Sequence, residues 1–409
     1  MEFGAKLRIT KFFVFKFFAL ICNIPFQIFA YNYLLHIKAG YIIFEYSFLP
    51  FPILTIFVSA LFGEYLDTRN RKKLLLSTML IWLISVLLIL FLNLLSVFTK
   101  YEAVVLMLYF SEIIAVPFWL IFSPFLNTIS EDSSKVVWNS VSEIASQVTN
   151  MLGGIFVIII ASIIDFYTVT IFYILTLGIA TYIVSRIEYN HERIKNRIDG
   201  GNNAAGLTKT VKFLISNRGS LILIFLISFP ILITAYGNLL KPIMIVSLFN
   251  GGLRSIAISE TVYSFGGVVI SIFIYMNRKA AKFTHAVLIM ILYGSLTLIL
   301  SFTRDFYTFI LLQFAFGTLS PASRIIRNSI VMERVDDKEN GKFFSFLSLL
   351  VSSAQFTGFM LFSRIVNAFN IRYVFLLLSI MDLLFAIVVF IRRSHLFNKI
   401  GEITKDSIL

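Results

Sequence analysis

The sequence predicts an all-α integral membrane protein: twelve transmembrane helices in two pseudo-symmetric six-helix bundles. Three observations predict it. The 409 residues are 58% hydrophobic and only 14% charged, whereas soluble domains carry about a quarter charged residues. The mean hydropathy is +0.88. The apolar residues gather in runs of about 20 or more, long enough to cross a bilayer as helices and longer than most buried soluble helices. One long polar stretch, 188–217, then divides those runs six and six. The 45 Phe and 17 Tyr fit this class, because lipid and neighbouring helices both accept aromatic surface. A net charge of +13 would suit a nucleic-acid binder. Its placement between apolar runs instead reads as orientation in a membrane, and no nucleic-acid partner is expected.

The first six spans are expected at 11–34, 41–64, 74–97, 103–126, 138–161 and 166–187. The second six are expected at 219–247, 254–276, 284–303, 306–330, 343–366 and 372–391. Lipid offers no partner to a bare peptide group, so every run must be helical. That includes the runs containing Pro50, Pro52, Pro117 and Pro230, where the prolines mark kinks. The basic N-terminus (Lys6, Arg8, Lys11) ahead of an apolar run mimics a secretory signal. No small-residue cleavage site follows Ala30 and many spans come after it, so an uncleaved first helix is expected. The single cysteine, Cys22, lies in that first run and rules out an intrachain disulfide framework.

Charge sets sidedness. A cytoplasmic N-terminus puts about 25 Lys and Arg inside and roughly seven outside. The inside group includes Arg69 to Lys73, Arg193, Lys195, Arg197, Lys209, Lys212, Arg278, Lys279 and Lys282; the outside group is mainly Lys38, Lys100, Arg254, Arg304 and Arg372. Both termini are therefore expected in the cytoplasm of a multi-pass plasma-membrane protein. The expected units are an N-terminal bundle (1–187), a cytoplasmic linker (188–217), a C-terminal bundle (218–392) and a cytoplasmic tail (393–409). Gly200, Gly201, Asn202 and Asn203 make the linker a hinge by composition. Residues 207–217 alternate Lys with apolar positions, as either an interfacial helix or a plain linker would.

The halves carry traces of a repeat. Pro117 and Pro321 stand half a chain length apart, each in the fourth span of its half, and Asp132 and Asp336 keep the same offset. ISEDSSKVVWNS after the first proline parallels RVDDKENGKFFS after the second.

The most informative segment is LFGEYLDTRNRKKLLL, from Leu61 to Leu76. Its Gly63-x-x-x-Asp67 followed by Arg69, Arg71 and Lys72 resembles the loop signature between the second and third helices of major facilitator superfamily (MFS) permeases. Asn70 stands where that family has glycine, and asparagine also tolerates left-handed backbone. Asn340-Gly341-Lys342 is similar to the Arg-Gly-Arg opening the eleventh helix of the macrolide and siderophore efflux branch. Asn139-Ser140 and Gly153-Gly154 in the fifth span resemble that branch as well. The sequence departs from the family's antiporter motif, because Asn150-Met151-Leu152 replaces its Gly-Pro. In the second half the loop motif survives only as Asn277-Arg278-Lys279, without an aspartate. The resemblance implies that Asp67 docks at the N-terminus of the eleventh helix near Phe343, where an anion meets the positive end of the dipole. Small Gly63 allows the close approach. Glu131 and Asp132 would pair with the basic cluster and, with Gly341 and Lys342, complete the inter-bundle contacts of a cytoplasmic gate.

Ionisable groups within spans are functional candidates by default. Glu112 is expected near mid-membrane in the fourth span, and Glu260 about a third of the way into the eighth. The resemblance places both spans among the helices that bound the cavity in the MFS fold. Both residues are candidate proton carriers, since burial penalises a charged carboxylate. Glu143 and Glu45 read as interfacial, and Lys16, Arg324 and Arg327 as snorkelling residues that fix topology. Asp382, in the peripheral twelfth span, reads as structural and paired with another helix. Lys241 either faces the outer vestibule or binds an anionic group. Asn23, Gln27, Gln147, Asn150, Asn238 and Gln355 are candidates to line a substrate cavity or to hydrogen-bond between helices.

These features imply a secondary transporter that rocks its halves around a midplane site. The leading expectation is proton-coupled export of amphipathic small molecules, cationic or neutral because of Glu112 and Glu260. Import of a small organic solute is the alternative within transport, and a non-transporting membrane sensor lies outside it. His36, His191, His285 and His395 fall in loops or at span ends without metal-ligand or triad spacing, so an enzyme is not expected. No Gly-Lys-Ser/Thr phosphate loop occurs. The expected partners are a small-molecule substrate and the bilayer, with the chain as a monomer, no metal, and a proton gradient in place of any cofactor.

Overall fold

The computed structural model describes residues 3–21, 23–37, 52–58, 69–130, 135–187, 189, 218–277, 283–334, 347–360 and 371–406, and these contain no strand. The first span comprises α1 (Phe3–Ile21) and α2 (Asn23–Leu35). After it come α3 (Arg71–Leu94), α4 (Lys100–Ser130), α5 (Lys135–Ile160) and α6 (Phe166–Ser185). The second half contains α7 (Arg218–Phe249), α8 (Leu253–Met276), α9 (Phe283–Phe302) and α10 (Phe306–Arg334). It ends with α11 (Leu347–Met360) and α12 (Ile371–Asp406). Among the described residues, ten helices are long and apolar enough to cross a membrane. A helical stretch at 52–58 and the shorter apolar α11 fall within the expected second and eleventh spans. Pro117 and Pro321 sit inside α4 and α10, as the repeat anticipated. Helix continues through 393–406, the segment expected as the tail. Apolar spans have no signal to stop a helix that remains sterically free to go on.

Each helix buries one stripe and presents the rest outward. In α3 the buried stripe is Leu75, Met79, Trp82, Val86 and Ile89, at helical spacing. Ile81, Ile84, Leu88, Phe91 and Leu94 point out, all more than half exposed. In water such a face would drive association; in a bilayer it is the solvated surface. Capping is local and polar. Asn70 has φ −69° and extended backbone, and its side chain accepts the Lys73 amide at 3.1 Å. Asn70 is thus an N-cap and not a left-handed turn residue, because the free amides at a helix start need an acceptor from the preceding residue. The tetrapeptide Asp-Phe-Tyr-Thr opens both α6 and α10. Asp165 and Asp305 accept the Thr168 and Thr308 amides at 2.8 Å in each case.

Within the first half, fully buried Tyr173 of α6 gathers the other helices. Its ring packs edge-on against Phe26 of α2 at 5.9 Å and Trp82 of α3 at 6.2 Å. Its hydroxyl meets Ser111 of α4 at 3.1 Å. In the second half, α8 and α10 cross with glycine on each surface. Gly266 faces the Phe314 carbonyl, and Gly317 faces the Tyr263 carbonyl so closely that no Cβ fits. The halves meet chiefly through α5 against α8, the most extensive helix pair among the described residues, with α10 also on α5 and α2 on α7 and α8.

Gly317→Ala should therefore lower the melting temperature in detergent, with an overpacking cost of about 1–3 kcal/mol. Gly178, where a Cβ would meet nothing within 4 Å, should accept Ala without loss. The caps add a pH term. Hydrogen bonds from the Thr168 side chain and amide hold the Asp165 carboxyl below its ordinary value, and those from the Thr308 amide and side chain do the same for Asp305. A depressed folded-state value contributes stability above the unfolded value and loses it as pH falls through the folded one. Asp165→Ala and Asp305→Ala should thus melt earlier than the parent at neutral pH, with the gap closing in acid. Circular dichroism melts across pH would check both.

Candidate functional site

Among the described helices, α5 carries the largest set of buried polar side chains. Asn139, Ser142, Glu143 and Gln147 recur on it at three- and four-residue spacing, which places them along one flank. That flank lies between α1 of its own half and α8 and α10 of the other. A helix so enclosed turns its polar groups toward partners instead of lipid.

The centre of the site is Glu143, 9% exposed. Arg324 of α10 grips it from the opposite half: Nη2 donates to Oε1 at 2.6 Å, and Nε donates to Oε2 at 3.2 Å. This forked geometry makes a strong, directional pair. Gln147 Nε2 donates to Glu143 Oε1 at 2.7 Å, and Arg324 Nη1 donates to Ser320 Oγ at 2.9 Å. From α1, Lys16 lies close enough to Glu143 to interact electrostatically. Its Nζ donates to the Ser142 carbonyl at 2.7 Å and hydroxyl at 2.6 Å, and it faces the Phe122 ring at 4.8 Å. Nearer the start of α5, Asn139 Nδ2 donates to Ser329 Oγ of α10 at 3.3 Å. Farther along, Gly154 fits against Ala257 and Thr261 of α8, and Gly267 of α8 accommodates the Gln147 side chain. The seam between the halves is polar and charged at one end and small-residue packed at the other.

A second cluster lies toward the other end of the molecule. Lys241 Nζ of α7 donates to Glu260 Oε1 of α8 at 3.2 Å and sits 4.5 Å from the Tyr263 ring centre. Tyr31 of α2 feels both Glu260 and Glu112, so carboxylates of the two halves converge on it. Gln27 lies within side-chain hydrogen-bonding reach of Glu112. Inside the second half is a cavity with about 30 Å³ of space for water centres, lined by Thr234, Asn238, Lys241, Tyr293 and Gln313 among others.

Several candidates from the sequence thus come together: Glu112 with Gln27, Gln147 with Glu143, Asn238 on the cavity. Asn23 accepts from the Tyr173 hydroxyl at 3.5 Å, and Gln355 is buried on α11. Asn150 is half-buried on α5. In the basic loop, Arg69 is exposed and Arg71 buried. Lys72 donates to the carbonyls of Ser185 and Ile187 at 2.8 and 2.6 Å, placing a cation at the negative end of α6. Gly63, Asp67, Glu131, Asp132, Gly341 and Lys342 lie outside the described residues, and the gate contact with them.

Four readings change. Lys16 (3% exposed) and Arg324 do not snorkel, and Glu143 is not interfacial; they form the centre of the site. Lys241 is the counter-ion of Glu260. Asp382 of α12, 1% exposed, has neither carboxylate oxygen hydrogen-bonded, so its expected helix partner is missing. Position near a span end suggested snorkelling, yet the facing helix supplies a buried partner, which no local pattern records. The available signal was the Glu143–Gln147 and Ser320–Arg324 spacing, which aligns polar groups on single faces.

The described helices thus form a multi-pass helical bundle whose halves meet across a charged seam. No protein-family model and no curated protein matches the sequence. Solved structures with the same fold include the human organic anion transporter MFSD10 (TETRAN), 11% identical over 95% of this chain and 100% of that one, TM-score 0.66. A bacterial homologue of the iron transporter ferroportin in an outward-facing state is 14% identical over 95% of this chain and 99% of that one, TM-score 0.63. The same kind of homologue with soaked iron is 13% identical over 94% and 99%, TM-score 0.63. The likeness is one of fold: this chain has the MFS transporter fold.

Removing one partner of a buried pair strands the other charge, at a cost of about 3–5 kcal/mol. Glu143→Leu and Arg324→Leu should each destabilise by that order. The double variant should lose far less than their sum. A double-mutant cycle of thermal melts in detergent measures the coupling, and additive losses would count against the pair.

Proposed function

We propose that this protein is a secondary active transporter that works by alternating access, with Glu143–Arg324 as a lock between its halves. The observation that carries this reading is that forked pair across the seam of an MFS fold, with Glu143 buried and the Arg324 side chain 29% exposed. Both termini are cytoplasmic, so the lock lies on the cytoplasmic side of the midplane. Breaking it parts α5 from α10 and opens that side, while the packing of Gly154 against α8 keeps the outer side shut. The loop aspartate Asp67 acts on the same closure, against the start of the eleventh span. The two units that rock are 1–187 and 218–392, joined by the linker.

The cargo is an amphipathic small molecule, exported against a proton gradient, and the chain works as a monomer in the plasma membrane without a metal or other cofactor. Glu112 is the candidate proton carrier of the first half. Glu260, the candidate of the second half, is ion-paired with Lys241. That pairing also removes the basis for expecting cationic cargo, because one of the two carboxylates is already neutralised. Membership of the macrolide and siderophore efflux branch rests on the motif residues alone.

The test uses proteoliposomes with an imposed pH gradient and a panel of amphipathic fluorescent dyes. The parent protein should move at least one dye in response to the gradient, and Glu112→Gln should abolish that response. Transport that ignores the gradient would sink proton coupling. The lock is read separately by distances between spin labels at Ser185 and Met276, both exposed, in a Cys22→Ser background. Arg324→Ala should shift the distribution toward longer distances; an unchanged distribution would overturn the lock.

A further inference from the structure

Asp382 is an acidic group buried without a hydrogen-bond or ion-pair partner among the described residues, and nothing in the transport scheme above uses it. It is 1% exposed and both oxygens lack hydrogen bonds. An ionised carboxylate stranded this way is costly enough that it either carries a proton or finds a counter-charge. The titratable and charged groups around it are few. Tyr293 of α9 is close enough to interact with it electrostatically, and Tyr263 and Arg324 lie in turn near Tyr293. Lys241 of α7, at the cavity, is engaged with Glu260, and Arg324 with Glu143. None of them forms an ion pair with Asp382 among the described residues.

The surroundings supply a way in for a proton. Asp382 lies one turn beyond Leu378, which lines the 30 Å³ cavity. Its Oδ2 is 3.0 Å from where a Cβ of Gly294 would stand, next in the chain to cavity-lining Tyr293. Gln313, 0% exposed and also on the cavity wall, has neither amide oxygen nor amide nitrogen hydrogen-bonded. A fully buried amide left so would forfeit about 1–3 kcal/mol for each unsatisfied group. A cavity of this size and polarity holds about one or two waters, which would satisfy it. From Tyr293 a polar chain then leads to the seam. Tyr293 Oη and Thr234 Oγ1 are 3.3 Å apart, Thr234 Oγ1 and Ser320 Oγ are 3.3 Å apart, and Ser320 accepts from Arg324 at 2.9 Å. One end of the chain, Tyr293, lies within electrostatic range of the unpaired acid; the other is the lock.

We propose that Asp382 is a proton-binding site of the second half, exchanging its proton through the hydrated cavity at Gln313 and linked to the lock through Tyr293, Thr234 and Ser320. A carboxylate oxygen takes the proton from a cavity water and returns it there, so the net change is one proton gained or lost. When Arg324 leaves Glu143, Ser320 and the chain behind it lose their present arrangement, and the setting of the acid changes with them. The role in coupling rests on the alternating-access reading; the proton site does not.

Infrared spectroscopy of the purified full chain in detergent separates the two. At neutral pH the parent should show a protonated-carboxyl C=O band that shifts in heavy water and is missing from Asp382→Asn. Asp382→Glu, which restores a carboxyl, should bring a band back. A parent spectrum identical to that of Asp382→Asn would overturn the site, whatever the protein transports. For the link, Ser185–Met276 distances should depend on pH in the parent, and Asp382→Asn and Thr234→Val should both lose that part of the dependence which survives Glu112→Gln. Full retention of it in both variants would overturn the link to the lock while leaving the infrared result to stand. Melting curves identify any variant that fails to fold, and Gln313→Leu, which removes the water-holding amide and spares Asp382, then serves as the substitute: it should slow heavy-water exchange of the band, and an unchanged exchange rate would overturn the hydrated route.

Discussion

Charge placed in a low-dielectric seam is the constraint on which the rest of this molecule depends. Glu143 and Arg324 come from different halves, and neither can be left alone away from water without a large penalty. Their forked contact therefore fixes where α5 and α10 meet. It also explains the company they keep. Gln147 and Ser320 take up remaining donor and acceptor positions, and Lys16 approaches from α1 with its ammonium against Phe122. The same energetics make the seam suited to switching. A contact strong when closed and costly when broken can stay apart only if water or a replacement charge enters, and that requirement makes the two arrangements discrete.

Packing at the other end of the seam follows a different logic. Between lipid-immersed helices apolar burial offers little, because lipid is as apolar as leucine. Close approach and dispersion contacts remain, and the chain achieves them with Gly154 at the seam and with Gly266 and Gly317 between α8 and α10 of the second half. Small residues hold these surfaces together without fixing charges, so they let helices pivot where the ion pair holds them fast. Both occur along α5, with Glu143 toward its start and Gly154 toward its end.

The second half carries a separate polar system. Its helices enclose a small cavity, a fully buried amide and an unpaired acid, and the hydroxyl groups of Tyr293, Thr234 and Ser320 run from beside them to Arg324. Buried polar groups of this kind cost stability unless function retains them. Their alignment toward Arg324 relates the interior of one bundle to the contact between both.

The membrane class and the helical spans followed from the sequence because they are local: run length and mean polarity need no knowledge of neighbours. The placement of Glu112 within the fourth span followed for the same reason. At Asn70 a turn and a cap draw on the same residue types, and the backbone angle alone separates them. Pairing is not local. Glu143 and Arg324 are 181 residues apart, and Lys16 and Ser142 are 126 apart. Near a span end each cation can equally reach the interface or a facing helix. Only the antiparallel juxtaposition of α5 and α10, and the burial of α12 against α9, decided that Arg324 has a carboxylate and Asp382 has none.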